Sequence, residues 1–221
     1  MIREEIEQLH ATLPDGVHLV AVSKYHPVEA IREAYEAGQR VFGESHEQEL
    51  RVKVPALPDD IQWHFIGHLQ TNKVRYIAPY ISMIHSVDSE RLLREIDRQG
   101  RKCGRRIPCL LQLHVAQEET KYGFTPEECR AFLEAREWRT MEGVQISGIM
   151  CMASNTEDET RIASDFATAQ SFFREAKAKW FADDDHFRHC SWGMSDDYPI
   201  AVQHGSTLVR IGSRIFGQRQ Y

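Results

Sequence analysis

Residues 18–45 read HLVAVSKYHPVEAIREAYEAGQRVFGES, and their pattern changes twice. Residues 18–24 form a short, β-rich apolar run that ends on Lys24. From 27 to 37 the apolar positions move to helical spacing, with Pro27 at a helix's first position and Gly38 just past its end. Residues 40–45 return to a strand-like run. Strand, helix and strand in so short a span mark a βαβ unit and a parallel sheet.

The alternation continues along the chain. Further apolar runs stand at 63–67, 83–88, 108–115, 145–152, 186–193 and 208–212, making eight in all. Asp88-Ser89-Glu90 and Thr125-Pro126-Glu127-Glu128 carry the capping residues that open helices. Residues 157–179 place Ile162, Phe166, Ala169, Phe172 and Phe173 close to helical spacing. Residues 100–106, with Arg101, Lys102, Arg105 and Arg106, read as a basic, solvated loop. No linker rich in Gly, Pro or Ser divides residues 1–221, so one domain is expected. Eight strands with intervening helices fit an α/β fold of the (β/α)8 TIM-barrel type, at the small end of its size range. A doubly wound open sheet is the alternative, because periodicity does not report closure. In either fold the carboxyl ends of the strands build the site.

Composition narrows the function. A formal net charge of −6 argues against a nucleic-acid or membrane-surface binder, which would carry a basic excess. No run of eighteen apolar residues offers a membrane span, and residues 1–6 lack the apolar core of a signal peptide. Five cysteines without a CxxC pair suit free thiols in a reducing cytoplasm. The length allows a complete core in one chain, and a monomer or weak dimer is expected.

Three strand ends carry chemistry. Lys24 closes the first run, and a lysine among apolar neighbours loses hydration of its ammonium. The neutral amine so favoured attacks carbonyls to form imines, although a snorkelling lysine is the plainer alternative. The last run ends in Gly212-Ser213, where barrel enzymes often hold phosphate on backbone N–H groups opening a short helix. The seventh ends in the turn Ser191-Trp192-Gly193-Met194-Ser195-Asp196-Asp197, where Ser195 can cap a helix or bind an anion. Arg210 alternates with Val209 and Ile211 and so faces either the barrel interior or the outer helices.

These residues lie within motifs that carry a resemblance. AVSK-x-x-P (21–27), VFGE (41–44), WHFIGHLQTNK (63–73), SWGMSDD (191–197) and VRIGSRIFGQR (209–219), in this order, resemble the pyridoxal phosphate homeostasis proteins. The resemblance covers nearly the whole chain, and that family is similar to the N-terminal barrel of alanine racemase. It implies pyridoxal 5′-phosphate (PLP) as cofactor, with Lys24 as the Schiff-base lysine. It further implies that Ser195, Gly212 and Ser213 hold the phosphate, that Arg210 sits by the pyridine nitrogen, and that Met194 lines the pocket. Ser45 stands where the family commonly has asparagine, and would offer the ring a hydroxyl in place of an amide. His26, His68 and Trp192 depart likewise from lysine, proline and methionine.

Other readings of the same residues are plainer or differ in class. His64 and His68 straddle a strand end, and His186 and His189 lie in or beside a strand, so neither pair has the one-face geometry of a metal site. His64 can face inward near a ring, or be a hydrogen-bonded core histidine. The expected function is a non-catalytic PLP carrier serving PLP-dependent apoenzymes. A PLP-dependent amino-acid racemase and a Schiff-base aldolase without PLP are the alternatives. Alanine racemases add a C-terminal domain with a second base, a tyrosine, and this chain stops nine residues after Gly212. The carrier is therefore the favoured expectation.

Overall fold

Ring closure is the decisive observation, and it selects the barrel over the open sheet. The strands β1 (His18–Val22), β2 (Val41–Glu44), β3 (Gln62–Phe65), β4 (Met83–Val87), β5 (Ile107–Leu113), β6 (Val144–Cys151), β7 (His189–Ser191) and β8 (Leu208–Ile211) pair in sequence order. All pairs are parallel, and β8 returns to β1 with Ala21 opposite Ile211. The computed structural model describes residues 1–118 and 122–217. Lys121 and the last two residues of the VRIGSRIFGQR motif lie outside them.

Helices alternate with the strands: α1 (Ile2–Thr12), α2 (Val28–Glu36), α3 (Glu47–Lys53), α4 (Val74–Ile77), α5 (Glu90–Lys102), α6 (Pro126–Ala135), α7 (Glu159–Trp180), α8 (Tyr198–Gln203) and α9 (Ser213–Phe216). Their starts follow from local chemistry. Ser89 accepts from the Leu92 N–H, Thr125 and Glu128 form a reciprocal capping box, and Asp158 accepts from the Thr160 and Arg161 N–H groups. Pro27 is the N-cap of α2, one position earlier than the sequence indicates.

Residues 100–106 are solvated over most of their length but are not a loop throughout. Gly100 to Lys102 form the last turn of α5, and Gly100 is buried. Arg105 donates to the carbonyls of Ala78 and Ile81, and Arg106 to that of Val144. Arg105 and Arg106 thus satisfy carbonyls at the barrel's edge, while Arg101, Lys102 and Arg106 remain exposed to water.

Alternation along each strand sorts side chains into two cores. Leu19, Ala21, Phe42, Trp63, Val209 and Ile211 join the large core between barrel and helices. Val20, Met83, Leu110, Met150 and Leu208 fill the interior. Two residues beyond Met83 on β4 stands His85, and two beyond Leu208 on β8 stands Arg210, both buried. The interior thus turns from apolar to polar within one step toward the carboxyl mouth.

Candidate functional site at the barrel mouth

Lys24 lies two residues past β1, half-buried, in a tight turn closed by the His26 N–H on the Ser23 carbonyl at 3.1 Å. Tyr25, its next residue, takes a left-handed backbone with φ of 67°. For a non-glycine residue that costs on the order of 1–2 kcal/mol, so the turn needs external support. It has it. Glu49 of α3 accepts the Tyr25 N–H at 2.7 Å, and Lys53 of α3 donates to the Ser23 carbonyl at 2.9 Å. Lys53 also pairs with Glu44 at 2.7 Å and Glu49 at 2.6 Å, and the Ser23 hydroxyl donates to Glu44 at 2.6 Å. Burial pushes the Glu44 carboxyl up to about 7 against the pull of Lys53 and Ser23, and its second oxygen has no hydrogen-bond partner. Burial also works against Glu49, but hydrogen bonds from Lys53 and the Tyr25 N–H hold it below its ordinary value.

Arg210 points into the interior, which resolves the two orientations its alternation left open. It donates to the Ser191 carbonyl at 2.8 Å, the Ser191 hydroxyl at 2.6 Å and the Cys151 carbonyl at 3.0 Å. From Ser191 the chain runs to His85 Nδ1 at 2.9 Å, and from His85 Nε2 to His64 Nδ1 at 2.9 Å. His64 is therefore both inward-facing and hydrogen-bonded. Burial, aided by His189, pushes it down to about 3. Burial also drives His85 well below its usual range, with His64, Arg210 and His189 adding to the effect. Both rings are neutral at neutral pH.

This pair makes folding pH-dependent. Below the ordinary histidine pKa of about 6.5 the unfolded chain binds protons that the folded chain refuses. The stability is whole above that pH and drains as pH falls toward 3. Between pH 7 and pH 5, wild-type unfolding free energy should fall by about 2 kcal/mol more than that of a His64→Asn variant. Urea titrations at both pH values measure this, and an equal fall in the two proteins would refute it.

The turns after β7 and β8 meet each other. Gly193 has φ of 92°, and a Cβ there would lie 2.6 Å from that of Ala201, so only glycine fits. Ser195 does not cap a helix. Asp197 precedes α8, and its carboxylate takes the Met194 N–H at 2.5 Å. The Ser195 hydroxyl faces the Gly212 N–H at 3.4 Å, a long contact bridging the two turns. Gly212 packs against the end of β1, where a Cβ would come within 3.0 Å of the Val22 carbonyl. Ser213 is exposed at the start of α9, and Met194 is 41% exposed on the rim. Ser45 lies at the end of β2, lining a cavity of about 240 Å³ with His46, His68 and Lys73. A larger cavity of about 750 Å³ opens beside Met194, but Glu157, Glu159, Asp196 and Asp197 line it. That acidic lining repels a phosphate, which leaves the two turns as the candidate anion site.

Lys24, Ser45, Met194, Ser195, Arg210, Gly212 and Ser213 thus all stand at or just below one end of the barrel. The sequence reading missed Ser191 and His85 inside, and Glu44, Glu49 and Lys53 behind the lysine turn. His85 carried a signal, since it interrupts an apolar run at an inward position. His68 is not part of this hydrogen-bonded chain: it stacks on Tyr122 at 3.8 Å and pairs with Asp88 at 3.0 Å.

Comparison with known proteins agrees with this geometry. The family model described as alanine racemase, N-terminal domain, matches residues 1–220. A pyridoxal phosphate homeostasis protein of Aquifex aeolicus is 36% identical over 206 residues, 92% of this chain and 87% of that protein. One from Schizosaccharomyces pombe is 35% identical over 221 residues, 99% of this chain and 90% of that one. The solved structure of PipY from Synechococcus elongatus with PLP bound superposes with a TM-score of 0.88 at 38% identity, covering 98% of this chain and all of that one. Alanine racemase from E. faecalis shares the fold alone, at 18% identity and a TM-score of 0.71. A closed barrel matched along its length by these relatives places the chain in the pyridoxal phosphate homeostasis protein family, built on the alanine racemase N-terminal fold.

Proposed function

We propose that this protein binds PLP at the carboxyl mouth of the barrel, holds it as a Schiff base on Lys24, and serves PLP homeostasis without catalysing an amino-acid reaction. The observation that carries the reading is the β1–β8 closure, which sets the Lys24 turn beside Gly212 and Ser213 with Arg210 in the interior beneath. The donor set fits the group. A lysine suits an aldehyde, and the hydroxyls of Ser195 and Ser213 suit a phosphate. Arg210 would supply a fixed cation to the pyridine nitrogen, while Met194 and Ser45 would line the pocket. When bound, PLP supplies an aldehyde and a ring whose electron withdrawal depends on protonation of its nitrogen. Arg210 disfavours that protonation, and the chain Arg210–Ser191–His85–His64 that backs it holds no carboxylate. A protein so built carries the cofactor and withholds its reactivity.

PLP-dependent apoenzymes are the recipients in this reading, and the cytoplasm is its place. Among the described residues no disulfide links the cysteines, as a reducing compartment keeps thiols. Among the described residues no helix is long and apolar enough to cross a membrane.

Borohydride reduction of the PLP-loaded protein, followed by peptide mass mapping, tests the assignment. The pyridoxyl adduct should fall on Lys24. An adduct confined to Lys53, Lys73 or Lys121 would sink it, and a colourless protein that takes up no PLP would favour the aldolase.

A further inference from the structure

We propose that Lys53, with Glu49, is the positioning device that presents Lys24, so that α3 governs how fast the cofactor is captured; this rests on Lys24 being the capturing lysine. Lys53 is 5% exposed, yet its ammonium has three oxygen partners, one backbone carbonyl and two carboxylates. Its ammonium bonds the carbonyl joining Ser23 to Lys24, the carboxylates of Glu44 and Glu49, and through Glu44 reaches the Ser23 hydroxyl. Glu49 in turn holds the Tyr25 N–H, and His46 braces Glu49 at 3.1 Å. The peptide groups on both sides of Lys24 are therefore each gripped by one end of a single ion pair on α3.

Strand parity puts this cluster outside the barrel wall. Glu44 follows inward Gly43, whose Cβ would touch Val20, and Ser23 follows inward Val22 by the same alternation. The cluster thus touches no ligand in the barrel and acts only through the turn. The left-handed Tyr25 is what it holds in place. A tyrosine leaves that conformation when its N–H loses a charged acceptor, and the lysine then swings with the turn. Capture needs the neutral Lys24 Nζ aimed at the aldehyde carbon. A C=N bond replaces C=O, the oxygen leaves as water, and nothing is oxidised.

The test separates presentation from the phosphate grip. Lys53→Met and Glu49→Ala should each slow the growth of visible absorbance on mixing with PLP by roughly tenfold or more, the population change expected from losing one charge-assisted bond. Glu49→Gln keeps a neutral acceptor for the Tyr25 N–H but loses the charge, and should slow capture less than Glu49→Ala does. Pyridoxine 5′-phosphate, which has no aldehyde, should bind all four proteins within about twofold of one another, because its grip lies on β7 and β8. Parallel loss of both ligands would mark a merely structural role and overturn the proposal, as would Lys53→Met and Glu49→Ala capturing PLP at the wild-type rate. Should Lys53→Met fail to fold, the Glu49 pair decides alone. Mapping the adduct in the wild-type protein tells the two failures apart. An adduct away from Lys24 ends the carrier assignment, whereas an adduct on Lys24 with unaltered rates ends only this inference.

Discussion

Pyridoxal without its phosphate is expected to bind this protein about 10²–10⁴-fold more weakly than PLP. Ser195 bridges to Gly212 through a 3.4 Å contact, longer than a good N–H···O bond, so these donors are poorly satisfied by one another. An anion between the turns would replace that contact with hydrogen bonds to a full charge. Each such bond contributes about 1.5–3 kcal/mol, and losing two corresponds to the range stated. Gly193 and Gly212 add no donors beyond their backbone, but their missing Cβ atoms keep the two turns in their present approach. Titration of the two vitamers, followed by quenching of tryptophan fluorescence, measures the ratio. Equal affinities would remove the phosphate grip from β7 and β8.

Incubation of the PLP-loaded protein with L-alanine or L-serine in deuterated water should give negligible α-deuteration and no D-isomer. Removing and returning an α-hydrogen on opposite faces needs two opposed bases and a ring able to stabilise the carbanion. The interior histidines are poor candidates for the second base. His64 and His85 are buried, tied to each other and onward to Ser191. Arg210 is a cation where a carboxylate would be needed to strengthen the ring as an electron sink. Exchange of the Schiff base onto an added amino acid is compatible with a carrier, since it requires neither feature. Turnover in the usual enzymatic range of about 1–10³ per second would overturn the carrier reading in favour of the racemase.

The parts of this molecule that were legible in sequence share a short range. Five of the eight strands fall inside the apolar runs and the other three begin one residue before them, because inward and outward burial on both faces leaves a local imprint. The caps at Ser89 and Thr125 are equally local. Closure was not legible, since nothing in β1 or β8 states that they are neighbours. Ser195 shows how a local rule can go unused. It is a good capping residue, but α8 begins only after Asp197, and the Ser195 hydroxyl faces the Gly212 N–H instead. The grip of Lys53 on Ser23 spans thirty positions and depends on how α3 packs against β1 and β2. A lysine in the last turn of a short helix looks like an ordinary solvent-facing charge until that packing is known.

The seam between β1 and β8 has a consequence for how the protein is made. The lysine at the end of the first strand leaves the ribosome long before the strand that carries Arg210, Gly212 and Ser213. For most of synthesis the nascent chain shows a primary amine with no anion grip beside it. With the site proposed above, cofactor loading would be confined to finished chains, and a fragment truncated before β8 would be expected to remain an apoprotein. The barrel's last stitch is also its quality check.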